Sequence, residues 1–142
     1  MIRCTLEIVL VQDGPLTDGL YKAIDEWKAK IGEVFKTVPL EKNVGLGEAL
    51  NAGIKHCSYE LIARMDTDDI CMPDRFEKQI RFFKDNDVDI IGSYSIEIDE
   101  DGNRGNLRKM PLNHQDIYNN LFTCPLIHPT VMFKKSIIEK VS

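Results

Sequence analysis

The stretch Arg64–Arg75 reads RMDTDDICMPDR and sets three carboxylates, Asp66, Asp68 and Asp69, within four positions. An apolar run precedes them, and Pro73, a residue suited to the first turn of a helix, follows. These carboxylates do not belong in a core, because an unpaired buried carboxylate costs several kcal/mol. Two uses fit them. One is a solvated loop in which Asp69 or Asp74 favours the dipole of the next helix. The other is a divalent cation held by one or two carboxylates, with substrate phosphates and water completing its shell. Magnesium and manganese accept such sparse ligation, at about 2.1 Å for magnesium. A calcium loop of the EF-hand kind is rejected. Asp66, Asp68, Asp74 and Glu77 fall at its first, third, ninth and twelfth places, but Cys71 stands at the sixth, where the sharp turn needs glycine.

The remaining residues able to do chemistry are spread along the chain. Asp13 closes an apolar run and is followed by Gly14-Pro15. Asn43, Gly45 and Asn51 lie in and just beyond a glycine-punctuated loop (NVGLG). Gly45 and Gly47 do not spell a dinucleotide fingerprint, since the third glycine is misplaced. Asn43 and Asn51 have turn or helix-capping roles as the plain alternative to ligand binding. His128 precedes Pro129; His56 and His114 read as surface residues.

The elements that must position these groups follow from hydrophobic period. Leu6–Val11 is a short apolar run with the look of a strand buried on both faces. Leu20, Ile24, Trp27 and Ile31 recur at helical spacing, with Thr17 or Asp18 as cap. Val34–Val38 reads as a strand closed by Pro39, Glu48–His56 as a short helix, and Tyr59–Met65 as a strand ending at the acidic cluster. Pro73–Asn86 is an amphipathic helix with Phe76, Ile80 and Phe83 on one stripe. Val88–Ile91 is a strand, Ser93–Asp99 a half-exposed one, and Asp101-Gly102 the turn after it. Asn113 caps a helix carrying Ile117 and Leu121, and Thr130–Phe133 reads as a last strand. Strand–helix alternation followed by hairpin-like strands predicts an α/β domain over residues 1–142 with a mainly parallel sheet. Ligands of such sheets bind beyond the carboxyl ends of the strands, where Asp13 and Asp66 both fall.

Bulk properties exclude several classes. The 142 residues are 43% hydrophobic and 29% charged, with a net charge of −5. That is one domain's worth of core-forming material without the basic footprint of a nucleic-acid binder. No apolar run reaches the roughly 18 residues of a membrane span, and the N-terminus lacks signal-peptide features. Cys4, Cys57, Cys71 and Cys124 form no C-x-x-C pair, so free thiols in a reducing cytoplasm are expected.

Four segments in order resemble family 2 glycosyltransferases of the GT-A fold, of the bacterial polysaccharide and O-antigen type. They are V-Q-D-G, N-V-G-L-G-E-A-L-N-A-G-I, R-M-D-T-D-D-I-C-M-P-D-R and C-P-L-I-H-P-T-V-M-F. The resemblance implies a Rossmann-like mixed sheet flanked by helices and a nucleotide-diphospho-sugar donor, UDP-linked. The sugar passes with inversion to a saccharide or lipid-linked saccharide acceptor, in a metal-dependent reaction using Mn2+ or Mg2+. It implies that Asp13 contacts the nucleotide base and that Asn43, Gly45 and Asn51 shape the nucleotide pocket. Asp68 becomes the main metal ligand, Asp66 sits by the ribose or metal, and His128 lines the acceptor side. A cytoplasmic setting is implied, with the parent protein peripheral at the inner face of the membrane.

The sequence departs from the family pattern in three places. Gln12 stands where the family usually carries a first acidic residue. The chain begins at what resembles the family's second strand, and it stops at Ser142, before the segment that supplies the catalytic base. A piece of a transferase is therefore expected, with no catalytic base assigned. Slow turnover, or nucleotide binding without turnover, is the expectation for the chain alone. The strand missing between Leu6–Val11 and Tyr59–Met65 would leave open edges, so self-association is expected as well. An aspartate-nucleophile phosphotransferase is the alternative enzyme class. It is disfavoured because that use wants the D-x-D on a leading strand, with a lysine and a further acidic pair downstream.

Overall fold

A computed structural model describes residues 7–141; Cys4, Leu6 and Ser142 lie outside the described residues. The chain falls into two compact units, Met1–Tyr59 and Glu60–Ser142.

In the first unit, β1 (Ile8–Gln12) and β2 (Phe35–Pro39) pair in parallel, with Val11 opposite Val38 and Gln12 opposite Pro39. Parallel neighbours need a crossover, and α1 (Asp18–Ile31) supplies it. Thr17 occupies the cap position of α1 without a side-chain cap bond, and Gly32, at φ 70°, ends the helix in the left-handed region. The predicted apolar stripe of α1 is only partly covered: Ile24 and Ile31 are half-buried, whereas Leu20 and Trp27 are about half exposed. The helix α2 (Leu46–His56) starts two residues before the expected Glu48. It buries Ala49 and Gly53, four residues apart on one face, and meets β1 closely enough that a Cβ at Gly53 would lie 2.7 Å from Val11 Cγ2.

Glu7, at the mouth of β1, ties three segments of this unit. Its carboxylate accepts from Lys36 Nζ on β2 and from Ser58 N and Oγ, both at 2.8 Å, just after α2. Burial by itself would raise its pKa, but these bonds outweigh burial and hold the group at about 2, down from 4.5. A carboxyl whose folded pKa is depressed contributes stability above its unfolded pKa and loses it as pH falls through the folded value. Wild type should therefore lose stability between pH 4.5 and about 2 more steeply than Glu7→Gln. Denaturant midpoints followed by Trp27 fluorescence across that window check it, and parallel pH profiles for the two proteins would contradict it.

In the second unit, β7 (Met132–Lys134) lies between β3 (Leu61–Ala63) and β4 (Ile90–Ile91), antiparallel to both. The two outer strands consequently run in the same direction. Ile127, Val131, Met132 and Phe133 are buried here, so the core of the unit gathers around β7. The strands β5 (Ser95–Ile98) and β6 (Arg104–Arg108) form a separate antiparallel hairpin. Its turn is held by Asp99, which accepts from Asp101 N, Asn103 N and Asn103 Nδ2 at 2.7–3.0 Å. The mixed α/β class holds. Among the described strands, however, only β1 and β2 form the parallel pairing expected to dominate, because the central strand of the second unit runs against its neighbours. Strand neighbours among the described residues cover one edge of β1 and one edge of β3.

Several boundaries differ from expectation. The helix α3 spans Arg75–Asp85, with Pro73 in the turn before it and Asp74 at the cap position. Leu121 falls in a 3-10 turn (Leu121–Thr123) after α4 (His114–Asn119), and Thr130 in another (His128–Thr130) before β7. Asn113 does cap α4, its Oδ1 accepting from Asp116 N at 2.9 Å. The last helix, α5 (Lys135–Val141), follows β7 directly, and Ser136 Oγ bonds Glu60 Oε1 at 2.5 Å.

The stripe Phe76, Ile80 and Phe83 of α3 is half-buried, yet the one buried residue of that helix is Gln79. Its Nε2 donates to Thr130 O at 2.8 Å and to Ser93 Oγ at 3.1 Å, and its Oε1 accepts from Arg75 Nε at 3.1 Å. Arg75 Nη2 donates in turn to Arg64 O at 2.9 Å and to Val131 O at 3.4 Å. A satisfied polar network therefore docks α3 where an apolar contact would be the commoner solution.

Candidate functional site

In the first unit, the carboxyl end of β1 turns sharply. Gly14 N returns to Gln12 O at 2.9 Å, a conformation that puts Gly14 at φ 95°. Gln12 O also accepts Leu40 N at 2.9 Å from the residue after β2. The turn delivers Asp13 to the loop before α2. Asp13 Oδ1 accepts from Val44 N at 2.7 Å and Oδ2 from Gly45 N at 3.2 Å. Gly45, at φ 87°, occupies the cap position of α2, and its N–H is shared with Asn43 Oδ1 at 3.1 Å. Asn43 thus has a turn contact, whereas Asn51 is exposed on α2 and caps nothing. Asp13, Asn43 and Gly45 are brought together; Asn51 lies beyond them along the helix.

In the second unit, the acidic loop begins where β3 ends. Arg64 grips Asp66 with two bonds, Nε to Oδ1 at 3.1 Å and Nη2 to Oδ2 at 3.3 Å. Arg64 itself is fixed by its N–H to Val131 O at 2.9 Å and by the Arg75 bond to its carbonyl. Asp69 N closes the turn on Asp66 O at 3.3 Å. Asp68 and Asp69 are exposed, and Asp74 pairs with Lys78 at 2.6 Å, whose hydrogen bond lowers the Asp74 pKa. No three His, Cys, Asp or Glu side chains converge on one point among the described residues.

His128 lies on the same arginine. Its Nδ1 is 3.4 Å from Arg64 Nη1, and its Nε2 is 3.4 Å from the Sγ of Cys124, a residue at φ 54°. Arg64, Cys124 and His128 line an apolar pocket of about 410 Å³ together with Ile90, Ile117, Leu121, Pro125, Leu126 and Val131. Cys71 and Cys124 carry free thiols, and His56 and His114 are exposed as expected. The sequence reading did not single out Arg64, Arg75, Gln79 or Cys124. For Arg64 a signal exists: residues two apart on an extended segment share a face, which puts Arg64 beside Asp66.

Comparison with known proteins places the chain in a family. The family model described as glycosyl transferase family 2 matches residues 3–141. The amylovoran biosynthesis glycosyltransferase AmsE of Erwinia amylovora is 45% identical over 131 residues, covering 91% of this chain and 48% of that protein. The UDP-Gal:alpha-D-GlcNAc-diphosphoundecaprenol beta-1,3-galactosyltransferase of Escherichia coli is 36% identical over 137 residues, covering 95% and 49%. The O-antigen biosynthesis glycosyltransferase WbnJ of Escherichia coli is 42% identical over 96 residues, covering 67% and 37%. The chain belongs to glycosyl transferase family 2, and relatives it matches include bacterial polysaccharide-synthesis enzymes. It spans about half the length of the first two of these relatives. No described helix is long and apolar enough to cross a membrane.

Proposed function

We propose that this chain is the donor-binding part of a glycosyltransferase that moves a sugar from a UDP-linked donor to an acceptor hydroxyl with inversion. A saccharide, free or lipid-linked, is the acceptor, and the reaction depends on manganese or magnesium. The observation that carries the reading is the unequal state of the two aspartates of D-x-D. Arg64 occupies both oxygens of Asp66, while Asp68 is exposed and makes no side-chain bond among the described residues. One hard carboxylate on a turn anchored to a strand end fits an ion that takes most of its shell from substrate phosphates and water. Three converging carboxylates, as a dedicated calcium cage needs, are absent among the described residues. The ion, when bound, would supply charge neutralisation for the departing diphosphate.

Asp68 is the metal ligand in this reading, and Asp66, neutralised by Arg64, lies at the ribose or metal edge. Asn43 and Gly45, on the loop that Asp13 holds, and Asn51, farther along α2, take the nucleotide. His128, exposed and among the residues lining the apolar pocket, lines the acceptor side. The printed name of the Escherichia coli galactosyltransferase, with a UDP donor and a diphosphoundecaprenol acceptor, supports the donor and acceptor classes. Calorimetry tests the reading directly. UDP should bind appreciably only with magnesium or manganese present, and Asp68→Asn should remove that dependence. Equal UDP affinity in EDTA, for wild type and variant alike, would sink it.

A further inference from the structure

We propose that Cys124 is a reactive thiol and a modification site: it attacks a small neutral disulfide and holds the adduct in the apolar pocket beside it. Cys57, Cys71 and Cys124 lie among the described residues, and the groups facing their sulfurs differ in kind. Cys57 Sγ faces Gly53 O at 3.5 Å, and Cys71 Sγ faces Met72 O at 3.5 Å. A carbonyl only accepts, so each of these sulfurs keeps its proton in order to donate. Cys124 Sγ instead lies 3.4 Å from the ring nitrogen Nε2 of His128.

That nitrogen carries a hydrogen, and Arg64 is the reason. Arg64 Nη1 lies 3.4 Å from His128 Nδ1, and a guanidinium can only donate. Nδ1 therefore offers its lone pair, and the proton of the neutral ring sits on Nε2, aimed at the sulfur. Arg64 is itself held in place, with Nε and Nη2 bound to Asp66 at 3.1 and 3.3 Å. An N–H directed at sulfur steadies the thiolate, which is the form that attacks. Cys124 is also exposed, so a reagent can reach it. It stands at φ 54°, the one non-glycine residue with positive φ among the described residues. Side chains held in such sparsely populated conformations concentrate at functional sites.

Cys124 and His128 both line the pocket of about 410 Å³, whose walls include Ile117, Leu121 and Leu126. The volume is that of a small-ligand site, and the lining suits a neutral apolar or aromatic reagent. The step exchanges one S–S bond for another. Sγ attacks one sulfur of the disulfide, the reagent's own S–S bond breaks, and the departing half takes up the thiol proton. The adduct stands beside His128, on the side assigned above to the acceptor; the reactivity of Cys124 does not depend on that assignment.

A neutral dithiodipyridine is the probe, with its adducts on the wild-type chain followed site by site by mass spectrometry. Cys124 should react about tenfold or more faster than Cys71. It should also react faster than the same cysteine in the urea-unfolded chain, which exposure alone cannot achieve. A folded-state rate at or below the unfolded one would overturn the proposal. His128→Phe keeps an aromatic ring without the N–H, and should bring the Cys124 rate down to the unfolded value; an unchanged rate would overturn it as well. If that variant does not fold, nitrogen NMR of wild type decides the same point. In mildly alkaline buffer His128 should be protonated on Nε2 and bare on Nδ1, and the opposite tautomer contradicts the proposal. Methyl NMR of the singly modified chain reads where the adduct sits. Signals of Ile117, Leu121 and Leu126 should shift, whereas unchanged signals would put the adduct in solvent and refute its seat in the pocket.

Discussion

Replacing Gly14 with alanine is expected to destabilise the first unit by roughly 2–4 kcal/mol, combining a strained backbone conformation with a steric conflict. The residue sits at φ 95°, which a Cβ-bearing residue rarely adopts, and the new Cβ would lie 2.7 Å from Asn43 N. The atom in the way belongs to backbone, so it cannot swing aside as a long side chain would. Gly102→Ala provides the control, because Gly102 has φ 81° in the hairpin turn but nothing within 4 Å of its added Cβ. It should cost only about 1–2 kcal/mol, the backbone part alone. Urea unfolding read by Trp27 for the first pair and by exchange of the hairpin amides for the second would separate the two contributions. Equal losses would mean that the contact with Asn43 relaxes at no cost.

Gln79→Leu is expected to cost the second unit roughly 2–4 kcal/mol, although it adds apolar area and little changes in volume. The loss comes from the partners left behind. Thr130 O and Ser93 Oγ lose a donor, and Arg75 Nε loses its acceptor beneath the helix. Urea midpoints followed by amide exchange over residues 60–141 give the measurement, with Trp27 fluorescence expected to stay as in wild type. A variant as stable as wild type would show that the leucine packs well enough to offset three hydrogen bonds.

These two positions also mark where sequence patterning reaches its limit. The period of LEIVLV, the stripe from Leu20 to Ile31 and the Asn113 cap were legible because they are local. Each depends on a repeat or a side chain reaching three residues along its own backbone. The strand β6 (Arg104–Arg108) carries little apolar alternation and exists because its backbone pairs with β5. Gln79 reads as a surface residue of an amphipathic helix. Its burial depends on Ser93 and Thr130, which lie 14 and 51 residues away, so no window on α3 contains the reason.

The acidic loop was legible for a related reason: three carboxylates after an apolar run have no place in a core. What the sequence left open was which of them is occupied. Arg64 settles that through contacts at the end of β3, where it binds Asp66 and leaves Asp68 exposed. Strand direction is nonlocal too: β7 runs antiparallel to both β3 and β4, which no window on any one of these strands announces.

The close meeting of α2 with β1 carries a consequence for variation. With Val11 Cγ2 only 2.7 Å from where a Cβ at Gly53 would stand, positions 11 and 53 behave as one steric unit. A side chain at 53 becomes admissible only when 11 gives up a branch, so Gly53→Ala combined with Val11→Ala should be better tolerated than the alanine at 53 alone. A scan that changes one residue at a time would record position 53 as intolerant. The intolerance belongs to the pair, and the residues permitted at either member are conditional on the other.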